Sequence, residues 1–301
     1  MLLAVLMLVG TLPTTAFATE KDTVYISISD DAQFVTTSSK TPMGFFSVTL
    51  DELSNIDLEN YSLGDYVYDS NGDGSPEIAA LHLYIYVHTE ILDLDWEDVT
   101  ITGGAGSIYF AGGLFGFSDE NLRYDYNGAY PAVDGWGLTA DQIVLSDGDF
   151  LNIAHYTDWA FWGDSATGFH YFTDAEGGLQ HSYTVAAGDP LKLGIVRSYS
   201  DWNNGGAPAF DPEPDYSIYY GRVYGKPEGE VKSDEVGMFE ITFPTAGDWY
   251  IWADGGFGME NPEAIVSAPA FATVTVEAAE VAVESITLDK STATLEVGDT
   301  L

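Results

Sequence analysis

The sequence predicts an α+β domain followed by an all-β sandwich in a multi-domain chain. Three observations predict it. Strand-like alternation near the N-terminus gives way to one segment with helical spacing and then to further strands, the order of an α+β fold. From about residue 183, short apolar runs recur between Gly, Pro and Asp with no helical period among them, which is a sandwich pattern. The chain has 301 residues, 46% of them hydrophobic, enough for more than one domain and for a real core.

The elements follow in order. Residues 2–9 form an apolar run too short to span a bilayer, and Ala16-Phe17-Ala18 fits a small-x-small cleavage site. Residues 1–18 therefore read as a secretory signal peptide cut after Ala18, with a buried strand as the alternative. The usual basic region is missing before it, which places the expected true start upstream. Residues 19–160 form the α+β domain. Val24 to Ser29 (VYISIS) and Phe45 to Leu50 (FFSVTL) are strands, and Asp51 to Leu63 is a loose acidic segment.

The run from Ile78 fits two patterns. Ile78, Leu81, Ile85 and Leu92 lie near helical spacing, whereas Leu81, Leu83, Ile85 and Val87 alternate with polar or aromatic residues as in a strand. Ser75-Pro76-Glu77 decides for the helix. Serine is a good N-cap, proline is preformed for the first turn, and glutamate suits the positive end of the helix dipole. A helix over about 76–92 is expected. Strands at Val99 to Ile101, Ile108 to Phe110 and Leu122 to Tyr126 follow. Asn127-Gly128 is a strong hairpin signal, and Asp147-Gly148 predicts another hairpin between Ile143 to Leu145 and Phe150 to Ile153.

Residues 161–182 read as a connecting segment and 183–276 as the sandwich. Its strands are Thr184-Val185, Leu191 to Val196, Tyr216 to Tyr220, Met238 to Phe243, Trp249 to Ala253 and Ala272 to Val276. Residues 203–215 form a Pro/Gly-rich loop. By period one of Trp249 and Trp252 faces the core. Residues 277–282 are a linker, and 283–301 open a third, truncated unit.

Composition excludes several functions. The net charge is -39, from 48 acidic and 9 basic residues, so phosphate backbones and anionic lipid are repelled. Nucleic acid is not an expected partner. The charge suits solubility, cation binding and an extracellular setting. The absence of cysteine removes disulfides, thiolate zinc sites and cysteine nucleophiles. No second apolar run of membrane length follows the signal, so no span is expected in the mature fragment.

The sharpest chemical signal is YDSNGDGSPEIAAL at 68–81. Asp69, Asn71, Asp73 and Glu77 stand at loop positions 1, 3, 5 and 9, a glycine at 6, and the Ser75 carbonyl is a further oxygen. Calcium takes six to eight oxygens, and an EF-hand adds a bidentate Glu at position 12, where this chain has Ala80. An EF-hand is excluded. A single calcium clamp at Asp69, Asn71, Asp73, Ser75 and Glu77, completed by water or Asp65, remains, against a plain turn with an N-cap.

Of the five histidines, His82, His88, His155, His170 and His181, none forms an H-x-x-x-H pair, and packing or surface roles are expected. Gly163-Asp164-Ser165 lies mid-chain without a Gly-x-Ser-x-Gly elbow and is not read as catalytic. The abundance of acids lets no glycosidase pair be singled out. Trp159 and Trp202 fall in expected loops, where indoles stack on sugars or pack locally.

Two resemblances add to this. The tail VESITLDKSTATLEVGDTL, at 283–301, looks like the opening of a bacterial Ig-like domain of group 2, through its Ile-x-Leu and Leu-x-x-Gly-Asp spacing. That resemblance implies tandem stalk modules of a surface or adhesin-type protein, and an Ig-like sandwich fits beside it. Residues 24–160 resemble the transcobalamin-like C-terminal domain of secreted bacterial proteins. The carrying residues are Ala80 to Glu90, then Tyr124-Asp125-Tyr126-Asn127-Gly128-Ala129-Tyr130-Pro131, then Val144 to Asp149. The chain departs from the family in a Gly-rich insert at 103–117 and in Tyr124, where tryptophan is frequent. In the vertebrate vitamin B12 carriers this module closes over cobalamin, so the resemblance implies a small α+β fold and cobalamin as a possible ligand.

The resulting expectation is a secreted, modular bacterial cell-surface protein with a non-catalytic binding or adhesion role. Its partner is an extracellular protein, glycan or small molecule. Tyr124, Tyr126, Tyr130, Trp136, Trp159 and Trp202 are the candidate ligand contacts. The alternatives are small-ligand binding by the first domain and an accessory module of a carbohydrate-active enzyme.

Overall fold

A computed structural model describes residues 22–30, 32–35, 44–69, 72, 74–133, 136–156, 168–201, 204, 207–257 and 265–279. The expected signal peptide, Ser165, and the Ig-like opening at 283–301 lie outside them. The described chain is mostly β-strand, in several sheets, with few helices.

The alternating VYISIS stretch becomes β1 (Thr23–Asp30), the centre of the first sheet. On one edge it pairs antiparallel with β2 (Gln33–Phe34) and β3 (Phe45–Thr49). The acidic segment after β3 is more ordered than its sequence suggested. Thr49 accepts from the Glu52 amide at 3.2 Å while its own amide donates to the Glu52 carboxylate at 2.9 Å. This capping box starts α1 (Leu50–Leu53). A 3-10 turn at Leu58–Tyr61 then buries Leu58.

The main helix, α2 (Ala80–Tyr86), starts four residues later than Ser75-Pro76-Glu77 indicated. Those residues precede it in non-helical backbone. The start is set by tertiary contacts instead. The amides of Ala80 and Leu81 donate to the carbonyls of Ile143 and Ala140, each at 2.8 Å. His82 Nδ1 accepts from the Ala79 amide at 3.1 Å. Two donors left open by any helix start are thus met by a remote loop, and Ser75 is not the cap. The last turn, Val87–Ile91, widens to π-helix.

Next come β4 (Thr100–Thr102) and β5 (Tyr109–Gly112), a two-stranded hairpin, then β6 (Leu122–Tyr126). β7 (Ala132–Val133) pairs with β8 (Trp136–Gly137). β9 (Phe150–His155) lies parallel to β1 and antiparallel to β6. Asp147-Gly148 is therefore a turn into β9 but not a hairpin, since Val144 forms only an isolated bridge, to Ala79. A parallel pair needs a crossover, and this crossover carries α2 across one sheet face. Val24, Ile26, Ile28, Phe46, Val48, Leu151 and Ile153 face α2 around Leu81, Tyr84 and Ile85.

The second unit begins earlier than expected. β10 (Gly168–Thr173) lies in the stretch read as a connector. β11 (Ser182–Ala186), β12 (Pro190–Asp201) and β13 (Ala207–Pro212) follow. β13 corrects the reading of 203–215 as loop, because it pairs along the C-terminal half of β12. The remaining strands are β14 (Ser217–Gly221), β15 (Gly229–Lys232), β16 (Met238–Thr242), β17 (Gly247–Ala253), β18 (Gly256–Phe257), β19 (Ile265–Ala268) and β20 (Ala270–Glu277). One sheet runs β13-β12-β10-β19-β18, with β16 also on β12; the other runs β11-β20-β17-β14-β15. Phe172, Leu193, Ile195 and Ile241 of the first meet Ile218, Trp249, Ile251 and Val274 of the second in one core.

A third cluster joins the two units. Phe34, Phe45, Phe150 and Ala154, on the sheet face away from α2, pack with Phe169, Tyr171, Trp252 and Phe271. Trp249 faces the sandwich core, as its period requires, and Trp252 on the opposite face is also buried, at 3% exposure, because the first sheet covers it. Polar groups are buried in the same seam. Ser27 donates to Asn152, and the Tyr171 hydroxyl donates to Asp125.

Candidate functional site

Strand period in β6 sends Leu122 and Tyr124 to the α2 side and Arg123 and Asp125 to the seam. Tyr124 there stacks on Tyr84 of α2, with ring centroids 6.2 Å apart. Tyr84 also meets Phe110 of β5 edge-on at 6.0 Å. These rings do not fill the space between α2, the β4–β5 hairpin and the loop at 130–143. A cavity of about 290 Å³ remains, lined by five tyrosines (84, 109, 124, 130 and 156) and by apolar side chains such as Leu138.

The Asn-Gly turn positions Tyr130. Asn127 and Gly128 take left-handed φ values of 52° and 86°, and Tyr126 and Ala129 exchange backbone hydrogen bonds at 2.7 and 3.2 Å. Asn127 Nδ2 donates to Asp149 at 2.8 Å, and the Phe150 amide donates to Asn127 Oδ1 at 2.9 Å. A larger residue at Gly128 is strained by the positive φ, and its Cβ, 2.8 Å from the Phe210 ring, would push that ring aside.

Burial raises the pKa of every lining tyrosine, so all five phenols are neutral donors at physiological pH. For Tyr124, the phenols of Tyr109, Tyr130 and Tyr156 add to the rise, which gathers the hydroxyls around it. The lining carboxylate is Glu120, exposed beside the half-exposed Tyr109, whose hydroxyl it accepts. These two residues mark the mouth.

Of the sequence-predicted contacts, the cavity unites Tyr124 and Tyr130. Tyr126 is instead a structural tie, its hydroxyl donating to Asp149 Oδ2 at 2.7 Å. Trp136 pairs through its backbone with Val133 and is not among the described residues that line the cavity. Trp159 and Trp202 lie outside the described residues. Sequence reading missed Tyr84, Tyr109, Tyr156 and Glu120. Tyr84 carried a signal, since it falls on the sheet-facing side of the helix, but nothing local joins it to residues 40 to 70 positions away.

The acidic loop is partly described. Asp69 accepts from the amides of Gly72 and Gly74, each at 2.8 Å, through its two carboxylate oxygens. The Glu77 amide donates to the Tyr68 carbonyl at 2.9 Å, which ties the ninth loop position to the residue before the first and closes the loop's base. Asn71 and Asp73 lie outside the described residues. Among those described, no three His, Asp or Glu side chains converge as a metal site.

The histidines pack. His88 Nδ1 accepts from the Phe115 amide at 3.0 Å and Nε2 donates to the Asp95 carbonyl at 3.1 Å. His155 lies between Asp30 and Asp119, at 2.6 and 3.1 Å, on the ring of Phe117. His170 is 3.7 Å from Glu213, and His181 stacks on Phe150 at 3.7 Å.

No family model matches the chain, and no curated protein matches it. Among solved structures, a chain described as the D00-D0 domain of Intimin is similar over 43% of this chain, at 9% identity and a TM-score of 0.19. The match spans 58% of that chain's length. A superposition this loose carries no argument about fold or function. Among the described residues, no helix is long and apolar enough to cross a membrane.

Proposed function

We propose that this chain is a non-catalytic extracellular binding protein of a bacterial surface, an α+β unit followed by an Ig-like sandwich. The α+β unit takes a small ligand in the tyrosine-lined cavity. The observation that carries this reading is the cavity itself, walled by Tyr84, Tyr124 and Tyr130 from three separate elements. Its volume sits at the low end of the ~300–1,000 Å³ typical of small-molecule sites. Among the described lining residues, neutral phenols and one carboxylate at the mouth suit recognition better than acid–base chemistry, which needs groups titrating near the working pH.

The transcobalamin-like resemblance is supported by α2 lying on the sheet between β1 and β9, and by the Asn-Gly turn beside the cavity. A corrinoid is several times too large to enter the cavity, so cobalamin binding would need a surface outside it.

Screening the full chain against small molecules by thermal shift and native mass spectrometry tests the proposal. Ligands are expected that raise Tm by several degrees. Leu138→Trp fills the cavity and should weaken them at least ~10-fold while leaving Tm unchanged or raised, because it adds buried apolar area. Ligands that bind Leu138→Trp unchanged would place the site elsewhere.

The calcium clamp at 69–77 is the second element of this reading, in a structural role. Two facts support it: the closed base of the loop, and Asp69 held in place by two amides. Chelator-treated protein should gain several degrees in Tm when calcium is added, and Glu77→Gln should abolish that gain. Isothermal titration without heat, together with an unmoved Tm, removes calcium from the reading.

A further inference from the structure

We infer that the cavity takes a ligand with an aromatic or aliphatic body and a cationic head, a primary or quaternary ammonium. The head sits at Glu120 and the body among the tyrosine rings. This deepens the proposed function and rests on the cavity being the binding site.

Charge is the first argument. Among the described residues that line the cavity, Glu120 is the one acid, and no Lys, Arg or His stands with it. A carboxylate at the mouth of a low-dielectric cleft focuses its field into that cleft. The nearest basic residue in sequence, Arg123, leaves the other face of β6, where its guanidinium lies 5.7 Å over the Phe169 ring. Arg123 also feels the charge of Asp125 in the seam, so it is committed there rather than at the mouth. The chain as a whole carries -39, which opposes an anionic ligand at any distance within the Debye length.

The walls are the second argument. Tyrosine rings attract cations through their π faces, and the attraction grows when the cation leaves bulk water. Five such rings line one cavity here. The Tyr109 hydroxyl holds Glu120 with one hydrogen bond, and a carboxylate has about four lone-pair sites, so capacity remains for an ammonium. A carboxylate ligand would meet the opposite situation, with like charge at the mouth and no cation to receive it among the described lining residues.

Isothermal titration of the full chain with three matched probes tests the inference: 3-phenylpropan-1-amine, 3-phenylpropan-1-ol and 3-phenylpropanoate. The amine should bind at least ~10-fold tighter than the alcohol, and the carboxylate should show no heat. Glu120→Gln should bring the amine to the affinity of the alcohol while leaving the alcohol unchanged. Equal affinities for all three would overturn the charge preference and leave the cavity reading standing. If none of the three binds, the inference falls, and the cavity reading is decided separately by the broad screen with Leu138→Trp.

Discussion

Phe271→Ala should cost about 3–5 kcal/mol of stability, the usual range for emptying a buried phenylalanine site, and should uncouple the two units. Phe271 is 3% exposed and is the hub of the seam. Its ring lies 4.4 Å from Phe45 and 5.9 Å from Phe34, both of the first unit, and 5.4 Å from Tyr250 of the second. Truncation leaves a cavity that aromatic neighbours on both sides cannot collapse to fill. The wild type is expected to unfold in urea in one transition seen alike by tryptophan fluorescence and far-UV circular dichroism. The variant should show two transitions that do not coincide. Phe243→Ala is the control, since Phe243 is fully buried but belongs to the sandwich core alone. A loss below ~1 kcal/mol in Phe271→Ala, with a single transition retained, would contradict a seam that holds the units together.

His181→Phe should change the pH dependence of stability more than any other single substitution in the seam. The His181 ring stacks on Phe150 with an interplanar angle of 18°, near Tyr25 and Tyr171. Burial pushes its pKa down to about 3. Below the ordinary histidine value of about 6.5, the unfolded chain takes a proton that the folded chain refuses. Stability is therefore lost as pH falls from about 6.5 toward 3. At pH 4 that loss is about 3 kcal/mol, from roughly 2.5 pH units at 1.36 kcal/mol each.

Asp125 works in the opposite direction. Burial raises its pKa to about 6, against bonds from Tyr171 and Gly128 that favour the charged form. The folded state then holds a proton between about pH 4 and 6 that the unfolded state has released, so stability is gained as pH falls through that window. The two groups nearly cancel in the wild type. Removing His181 leaves the Asp125 contribution exposed. His181→Phe should therefore be about 3 kcal/mol more stable relative to wild type at pH 4 than it is at pH 7. Urea titrations at the two pH values read this difference directly, and an equal effect at both would exclude His181 as a buried neutral ring.

Much of the chain was legible before its structure. The alternation in VYISIS marks a strand, and Asn127-Gly128 marks a tight turn, because both signals are local: side-chain period and φ > 0 are properties of a few adjacent residues. The period of Trp249 and Trp252 likewise put one of them on the core face. It was silent about the other, whose burial depends on a sheet formed far away in the chain. The start of α2 was misplaced for a related reason. Ser75-Pro76-Glu77 is a sound local cap, but the open amides of Ala80 and Leu81 found better-placed carbonyls in Ile143 and Ala140. The connector at 161–182 was misjudged because β10 is aromatic and continuous rather than alternating, as suits a strand buried on both faces.

Local pattern was enough for the many strands, the main helix, the Asn-Gly turn and a charge that turns away phosphate. Tertiary structure alone decided the cavity and the seam. Ser27 and Asn152 pair across β1 and β9 from 125 positions apart, and Tyr84, Tyr124 and Tyr156 meet only once that parallel pairing and its crossover exist. Local pattern reports the two faces of each strand but not what covers them, because burial is a property of the partner surface, and the partner is chosen by the chain as a whole.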